Sequence, residues 1–255
     1  MINLKEKNII VTGASGGIGN SIVEHLYMAG ANVLATGTKI EKLEQLKKKF
    51  SKIKTLPFDI SKHDKIESFI NDANELLGGN LNCLVNNAGV AGPTLSIEEI
   101  DAEDWSHCLN VCLSSQFYFV KSCLKQLRKS SSASIVNISS AAGQYGFALR
   151  TPYASAKWGV IGLTKSLSIE LGKDKIRVNA ILPGLVAGDR QQNVLRTKAQ
   201  MLGKPFNDVE EEAFSFTSIR PFTRSTDPVL VSAPPVVNVN LEYSSTTPTV
   251  PSTLV

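Results

Sequence analysis

Several things are scarce in this 255-residue sequence, and each shortage excludes something. There is no run of 18 or more consecutive apolar residues, so a typical membrane-spanning helix is excluded and no membrane partner is expected. The first eleven residues set Lys5, Glu6 and Lys7 ahead of only Ile9-Ile10-Val11. That is too short an apolar stretch for a secretory signal, and a cytoplasmic location is expected. Charge of either sign is sparing: 27 Lys+Arg against 23 Asp+Glu leave a formal net charge of +4. The densest basic run, Lys47-Lys48-Lys49, follows Lys39, Glu41, Lys42 and Glu44, the mixture of a solvated helix face. Nucleic acid is therefore not an expected partner. Only four cysteines occur, without Cys-x-x-Cys spacing. Cys108 and Cys112, beside His107, have the spacing of part of a metal site, but three of the four thiols lie in one apolar helical pattern and read as small hydrophobes, with no metal expected.

The last shortage is local. No glycine follows Gly203 and no basic residue follows Arg224. The segment 228–255 holds five of the 11 prolines, eight Ser/Thr, seven Val and a single charge, Glu242. What precedes it is long enough for one domain with a substantial core that needs no disulfide or metal to hold it.

What is present begins with an alternation. Short β-branched runs at Asn8–Thr12, Asn32–Thr36, Ile53–Phe58, Asn82–Val85, Ser134–Ile138 and Ile176–Ile181 each read as a buried strand. Between them lie helical spacings: Ile18, Ile22, Leu26 and Ala29 up to Gly30; Trp105, Leu109, Cys112, Gln116, Phe119, Cys123 and Leu127; and Trp158, Ile161, Leu163, Leu167 and Leu171 after Pro152. Strands alternating with helices imply right-handed crossovers and an α/β fold: a doubly wound parallel sheet of six strands in a three-layer αβα arrangement. Residues 185–220 are polar with helical character and read as a substrate-binding excursion at the edge where open sheets hold ligands.

Directly after the first strand comes Thr12-Gly13-Ala14-Ser15-Gly16-Gly17-Ile18-Gly19, opening into the first helix. A strand-to-helix turn presents backbone N–H groups and a positive helix end, and glycines let a pyrophosphate approach without a Cβ in the way. A glycine-rich turn without a ligand is the plain alternative; the flanking strand and helix favour a dinucleotide. An acid at the end of the second strand would bind a ribose 2′-hydroxyl and repel a 2′-phosphate. Here that stretch is Thr36-Gly37-Thr38-Lys39, hydroxyls and a cation with no acid, so NADP is expected in preference to NAD.

Tyr153 and Lys157 are four residues apart on one predicted helix, so they share a face. A free tyrosine, with a pKa of about 10, is scarcely ionised at neutrality, and a neighbouring ammonium favours the phenolate. Ser140 lies at the end of the fifth strand, where its hydroxyl would meet a substrate oxygen as charge develops. A Tyr–Lys pair at this spacing is commonplace on a surface. With the glycine-rich turn and the strand-end serine it fits hydride transfer between a nicotinamide and a carbonyl or alcohol carbon.

Together these motifs make the chain similar to members of the short-chain dehydrogenase/reductase superfamily, in the β-ketoacyl-acyl-carrier-protein-reductase-like form, across residues 4–184 and more weakly to about 225. The resemblance implies a Rossmann-like fold over 1–225. It assigns cofactor contacts to Gly13, Ser15, Gly16, Gly17, Ile18, Gly19 and Thr38, to Asp59 and Ile60 at the adenine, and to Asn86, Ala88 and Gly89 of Asn86-Asn87-Ala88-Gly89. Pro183, Gly184 and the backbone of Val186 would lie beside the nicotinamide. Ser140, Tyr153 and Lys157 match the catalytic residues, the 13-residue gap favouring Ser140 over Ser139. Tyr153 and Lys157 would also meet the cofactor, Lys157 at the ribose hydroxyls. Asn110 matches the position that kinks the long helix and links Lys157 to solvent through a water.

Two departures stand out. A threonine common in relatives five residues beyond the proline is Gly188 here, followed by Asp189-Arg190. The seventh strand expected after Arg224 has no counterpart in the Pro/Ser/Thr/Val-rich tail 226–255, where only Val236–Leu241 has strand character for an edge. We read the abrupt change of composition, as a hypothesis, as a change of reading frame; an intact frame on resequencing would refute it. The homotetramer implied by the resemblance depends on that strand. The expected substrate is a small carbonyl or alcohol compound, with a 3-oxoacyl thioester, a sugar or a polyol as candidates. A dinucleotide-binding protein without turnover, or a C-terminally damaged product, is the alternative of a different class.

Overall fold

The structure, a computed structural model, describes residues 3–215. The expectations for a seventh strand, for an edge strand at Val236–Leu241, for the tail and for the last part of the 185–220 excursion lie outside the described residues. Among the described residues, no helix is long and apolar enough to cross a membrane.

Among the described residues, six parallel strands form one sheet: β1 Asn8–Val11, β2 Asn32–Ala35, β3 Lys54–Thr55, β4 Cys83–Asn86, β5 Ser134–Ile138 and β6 Arg177–Ile181, in the order β3-β2-β1-β4-β5-β6. The order reverses between β1 and β4, whose registers pair Ile9 with Cys83 and Val11 with Val85. Where it reverses, the two neighbouring crossovers leave on opposite faces, and a crevice opens at the carboxyl ends of the strands. Eight α-helices among the described residues accompany the sheet: α1 Gly17–Met28, α2 Ile40–Lys49, α3 Ile66–Leu77, α4 Ala102–Leu109, α5 Ser115–Leu127, α6 Thr151–Gly172, α7 Asp189–Leu202 and α8 Phe206–Ser215.

The near-continuous apolar strands follow from burial on both faces. Successive side chains of a strand point to opposite sides, so Ile10, Leu34, Leu84 and Ile135 join one core cluster with Phe69, Phe119 and Leu127. Ile9, Val11, Val33, Ala35 and Val85 join the other with Val23, Leu43 and Leu46. Leu34, Leu84 and Ile135 are completely buried, and truncating any one of them to Ala would cost about 2–5 kcal/mol. All six expected strands are present, although the third is reduced from the run Ile53–Phe58 to two paired residues.

Two helix readings need correction. Trp158 is 51% exposed, and the buried face of α6 runs instead through the smaller Ala156, Val160 and Thr164 at four-residue intervals. This helix is apolar on several sides, so periodicity alone misjudges which side meets the sheet. The long helix predicted from Trp105 to Leu127 is broken by one wide turn, a π-helical segment over Asn110–Ser114. The added residue shifts the register: upstream of it Cys108 is fully buried, while Trp105 is exposed. Beyond β6, α7 and α8 close on each other through Leu195, Ala199 and Val209, a small core separate from the two sheet faces.

Candidate active site

The turn from β1 into α1 is held from the side of β4. Buried Thr12 accepts, at Oγ1, the backbone N–H groups of Asn87 (3.0 Å) and Ala88 (3.1 Å). In return Asn87 Nδ2 donates to the carbonyls of Thr12 (3.0 Å) and Gly13 (3.1 Å). The two strand ends thus form one polar unit. Gly13 has φ 63°, and a Cβ there would stand 2.6 Å from the Ala88 Cα. A Cβ on Gly19 would overlap the Gly13 carbonyl oxygen and come within 2.7 Å of Asn87 Nδ2. Glycine is required at both. Gly16, Gly17 and Ile18 then open α1 with no side-chain cap and no acid in the first turn, leaving the positive helix end to an external anion.

Ser15 faces the end of β2, where a Cβ on Gly37 would meet its Oγ at 2.7 Å, and Thr38 and Lys39 follow, both exposed. Asp59 accepts at Oδ1 from the Ser61 N–H (3.0 Å) and hydroxyl (2.8 Å). The backbone bond and then the hydroxyl hold its carboxyl below the usual carboxylate range. Ile60 is buried in the core beneath it. Asn86 donates to Asn137 (3.0 Å), which donates to Thr164 of α6 (3.0 Å), tying β4 through β5 to the helix that carries Tyr153 and Lys157.

Those two residues lie in the first two turns of α6. Lys157 is 3% exposed, donates to the Ile138 carbonyl (2.9 Å) and stands 5.6 Å from the centre of the Tyr153 ring. A buried ammonium needs hydrogen-bond acceptors, and the Ile138 carbonyl is one. The neighbouring serines divide: Ser139 is buried and donates to the Lys157 carbonyl (2.8 Å), whereas Ser140 is half-buried and accepts the Ala142 N–H (3.2 Å). The Ala141 N–H bonds to the Pro183 carbonyl (2.9 Å), bringing Ser140 beside Pro183-Gly184 and, farther along the same loop, the half-buried Val186. A Cβ built on Gly89 would lie 3.5 Å from Cys112 Sγ and 3.8 Å from Lys157 Nζ, so that glycine marks where the β4 turn meets α6.

Asn110 opens the π turn, as the expected kink requires, but it is exposed and its carbonyl accepts from His63 Nε2 (3.2 Å). Cys112, two residues on and so roughly opposite around the helix axis, lies on the side of Gly89. Cys112 is drawn below the ordinary thiol range by its hydrogen bond with Cys108, against burial, with Lys157 adding to the effect; Cys108 rises correspondingly.

Comparison with known proteins decides what this crevice belongs to. The family model for short chain dehydrogenases matches residues 7–199. The chain belongs to the short-chain dehydrogenase family. Nodulation protein G of Rhizobium sp. (strain N33) is 35% identical over 187 residues, covering 73% of this chain and 76% of the relative. The 3-oxoacyl-(acyl-carrier-protein) reductase FabG of Vibrio cholerae is 32% identical over 224 residues, covering 84% of this chain and 91% of the relative. Among solved structures, a point variant of actinorhodin polyketide ketoreductase with NADPH superposes with a TM-score of 0.80 at 27% identity, covering 88% of each chain.

As a short-chain dehydrogenase, this is an enzyme acting on CH–OH and carbonyl groups with a nicotinamide dinucleotide. The crevice fits that cofactor: Gly13 and Gly19 let the turn close tightly on Ala88 and Asn87, a Cβ on Gly17 would meet no protein atom within 4 Å, and the open end of α1 supplies amide donors. Reading the sequence alone misses Thr12 and Asn87 as the residues that lock the cradle. Their signal is a threonine before the first glycine and an asparagine after the fourth strand, polar residues where apolar ones would suffice. It also misses Arg150, at the amino end of α6, whose guanidinium carbon stands 4.7 Å from the centre of the Tyr153 ring.

Proposed function

We propose that Tyr153 donates the proton to, or takes it from, the substrate oxygen, with Ser140 donating a hydrogen bond to the same oxygen. Lys157, a buried cation beside the Tyr153 ring, stabilises negative charge on the phenol oxygen; this placement carries the reading. When bound, the nicotinamide supplies or accepts the hydride, two electrons with one hydrogen, at the carbonyl carbon. In the reducing direction the C=O π bond is replaced by a C–H bond and an O–H bond, the hydroxyl hydrogen coming from Tyr153. Ser139 cannot substitute for Ser140 while its hydroxyl is bonded to the α6 backbone. Pro183, Gly184 and Val186 on one side and Ala88 and Gly89 on the other would flank the nicotinamide. Gly13, Ser15 to Gly19, Asp59, Ile60 and Asn86 would hold or shape the rest of the dinucleotide site.

NADP is the preferred cofactor in this reading, supported by exposed Thr38 and Lys39 at the end of β2 and by the lack of an acid from 36 to 39. The reductase activity that names the Vibrio relative supports a 3-oxoacyl thioester as the first carbonyl class to try. Four free thiols accord with a reducing, cytoplasmic compartment. Residues 1–225 would act as one domain, the α7–α8 pair covering the substrate side. A homotetramer would cover the exposed Phe117, Trp158 and Ile169.

The test is a carbonyl screen on the full chain, following NADPH and NADH absorbance beside a size-exclusion trace. Tyr153→Phe should lower kcat by at least about 10²–10⁴-fold while NADPH binding changes less than about threefold. Undiminished turnover by Tyr153→Phe refutes the proton role, and tighter binding of NADH than NADPH refutes the cofactor preference.

A further inference from the structure

The Tyr153 ring is surrounded by more positive charge than proton transfer requires. Besides Lys157, it faces the guanidinium carbon of Arg150 at 4.7 Å and that of Arg190 at 5.8 Å. The four ion pairs among the described residues are Lys49–Glu24, Lys65–Asp64, Arg128–Asp174 and Lys204–Glu212, so none of the three cations at the ring has a carboxylate partner there. Arg150 is only 9% exposed, and its Nε is buried with no hydrogen-bond partner. Burial and the nearby Arg190 both weigh against its charge, while Tyr153 favours it.

Both arginines are anchored on the segment that follows the β4 turn. Arg150 Nη2 donates to the Ala91 carbonyl (2.6 Å); Arg190 donates from Nη1 to Gly89 (3.2 Å) and from Nη2 to Val90 (2.5 Å). A guanidinium has five N–H donors and no acceptor, so these bonds leave donors to spare. Arg150 is also the residue that precedes the first turn of α6, which has no side-chain cap and no acid. Two guanidiniums and an open helix end converge on one catalytic ring, and burying the Arg150 charge without an anion is costly. A phenolate at Tyr153 answers one charge at most, and only in one protonation state.

We propose that Arg150 and Arg190 hold a carboxylate of the substrate, so that the compound reduced at Tyr153 is a small oxo acid and its product a hydroxy acid. The inference rests on the hydride-transfer reading above and departs from the thioester one. Because Arg150 lies against the same ring that must present its hydroxyl to the carbonyl, the carboxylate and the reacting carbon are close neighbours in the substrate chain. A planar guanidinium suits a carboxylate, which it grips through two parallel bonds. The balance of the reaction is unchanged: the reduced nicotinamide provides the hydride, Tyr153 the proton, and the carboxylate takes no part in bond making.

The test uses the full-length protein with NADPH and three probes: acetoacetate, its methyl ester, and an acetoacetyl N-acetylcysteamine thioester. The acid should be turned over with a kcat/KM at least tenfold above both neutral probes. Arg150→Gln should lower kcat/KM for the acid by about 10–100-fold, mainly through KM, and by at least tenfold more than for the ester. Arg150→Lys, which keeps charge but not the fork, should recover part of the loss. Arg190→Gln, at an exposed position, gives the same comparison if Arg150 variants fold poorly. Binding of acetoacetate to Tyr153→Phe by calorimetry separates this inference from the mechanism: binding that Arg190→Gln abolishes supports the carboxylate site even if wild-type turnover is absent. The proposal is overturned if the ester or thioester is the better substrate, if Arg150→Gln slows acid and ester equally, if the variants weaken only NADPH binding, or if Tyr153→Phe binds no acetoacetate.

Discussion

The two walls of the crevice are built on opposite plans. On the β1 wall, close-packed backbone supplies the shape: Thr12 and Asn87 tie the two turns together through hydrogen bonds that include the Gly13 carbonyl, and a methyl group at Gly13 or Gly19 would collide with main chain or amide. On the α6 wall, long side chains supply the chemistry. Lys157, Arg150 and Arg190 reach one ring and bond mainly to carbonyls, with one guanidinium nitrogen unmatched. A wall made of interlocked backbone suits the constant part of a reaction, the cofactor. A wall made of under-satisfied charged side chains suits the variable part, the substrate, because its partners can be exchanged without refolding the sheet.

Substitutions can break that contrast, beginning with the largest effect. Ser140→Ala should lower kcat by about 10²–10³-fold, with a stability loss of no more than about 1 kcal/mol from its bond to the Ala142 N–H. Ser139→Ala should cost a similar amount of stability, about 1 kcal/mol through loss of its bond to the Lys157 carbonyl, while kcat stays within a few-fold. Equal kinetic effects at the two serines would show that the α6 wall does not separate support from chemistry. On the opposite wall, Gly19→Ala should cost about 1–3 kcal/mol, a drop of several degrees in Tm. Gly17→Ala, where a Cβ would meet nothing within 4 Å, should leave Tm unchanged. Matching melting curves would mean the cradle is looser than its contacts imply.

The smallest effect concerns pH. The Asp59 carboxyl is held below its usual range by Ser61, so its stabilising contribution is present above the ordinary carboxylate pKa. It is lost as pH falls through the lowered folded value. Asp59→Asn should therefore flatten the acid limb of the stability profile and leave the neutral region alone; an unchanged acid limb in urea titrations at pH 3–6 would refute it.

The same contrast governs how far the sequence can be read. Strands buried on both faces declare themselves as apolar runs, so all six can be placed, and only β3 is shorter than its run by more than one residue. Glycines flanked by a strand and a helix declare the cradle. Side chains that act through tertiary contact leave no such trace. Nothing local to Arg150 says that it will lie over Tyr153, and Thr12 looks like a strand residue until its partners at Asn87 and Ala88 are seen. Periodicity misplaces Trp158 because α6 offers apolar residues on several sides, and the helix buries the slim side carrying Ala156 and Val160. Motif position puts Asn110 at the kink, but the wide turn that makes the kink cannot be seen in a periodicity of 3.6.

That wide turn over Asn110–Ser114 has a consequence for how the molecule can change. It sets a phase offset between α4 and α5, each residue of an ordinary helix advancing the face by roughly 100°. One continuous rod therefore carries two independent headings. Downstream, Phe119, Cys123 and Leu127 stay aimed at the sheet; upstream, Cys108 meets Ala156 and Tyr153 of α6. Drift in the upstream half can retune the wall behind the reacting ring while the downstream half goes on holding the sheet in register.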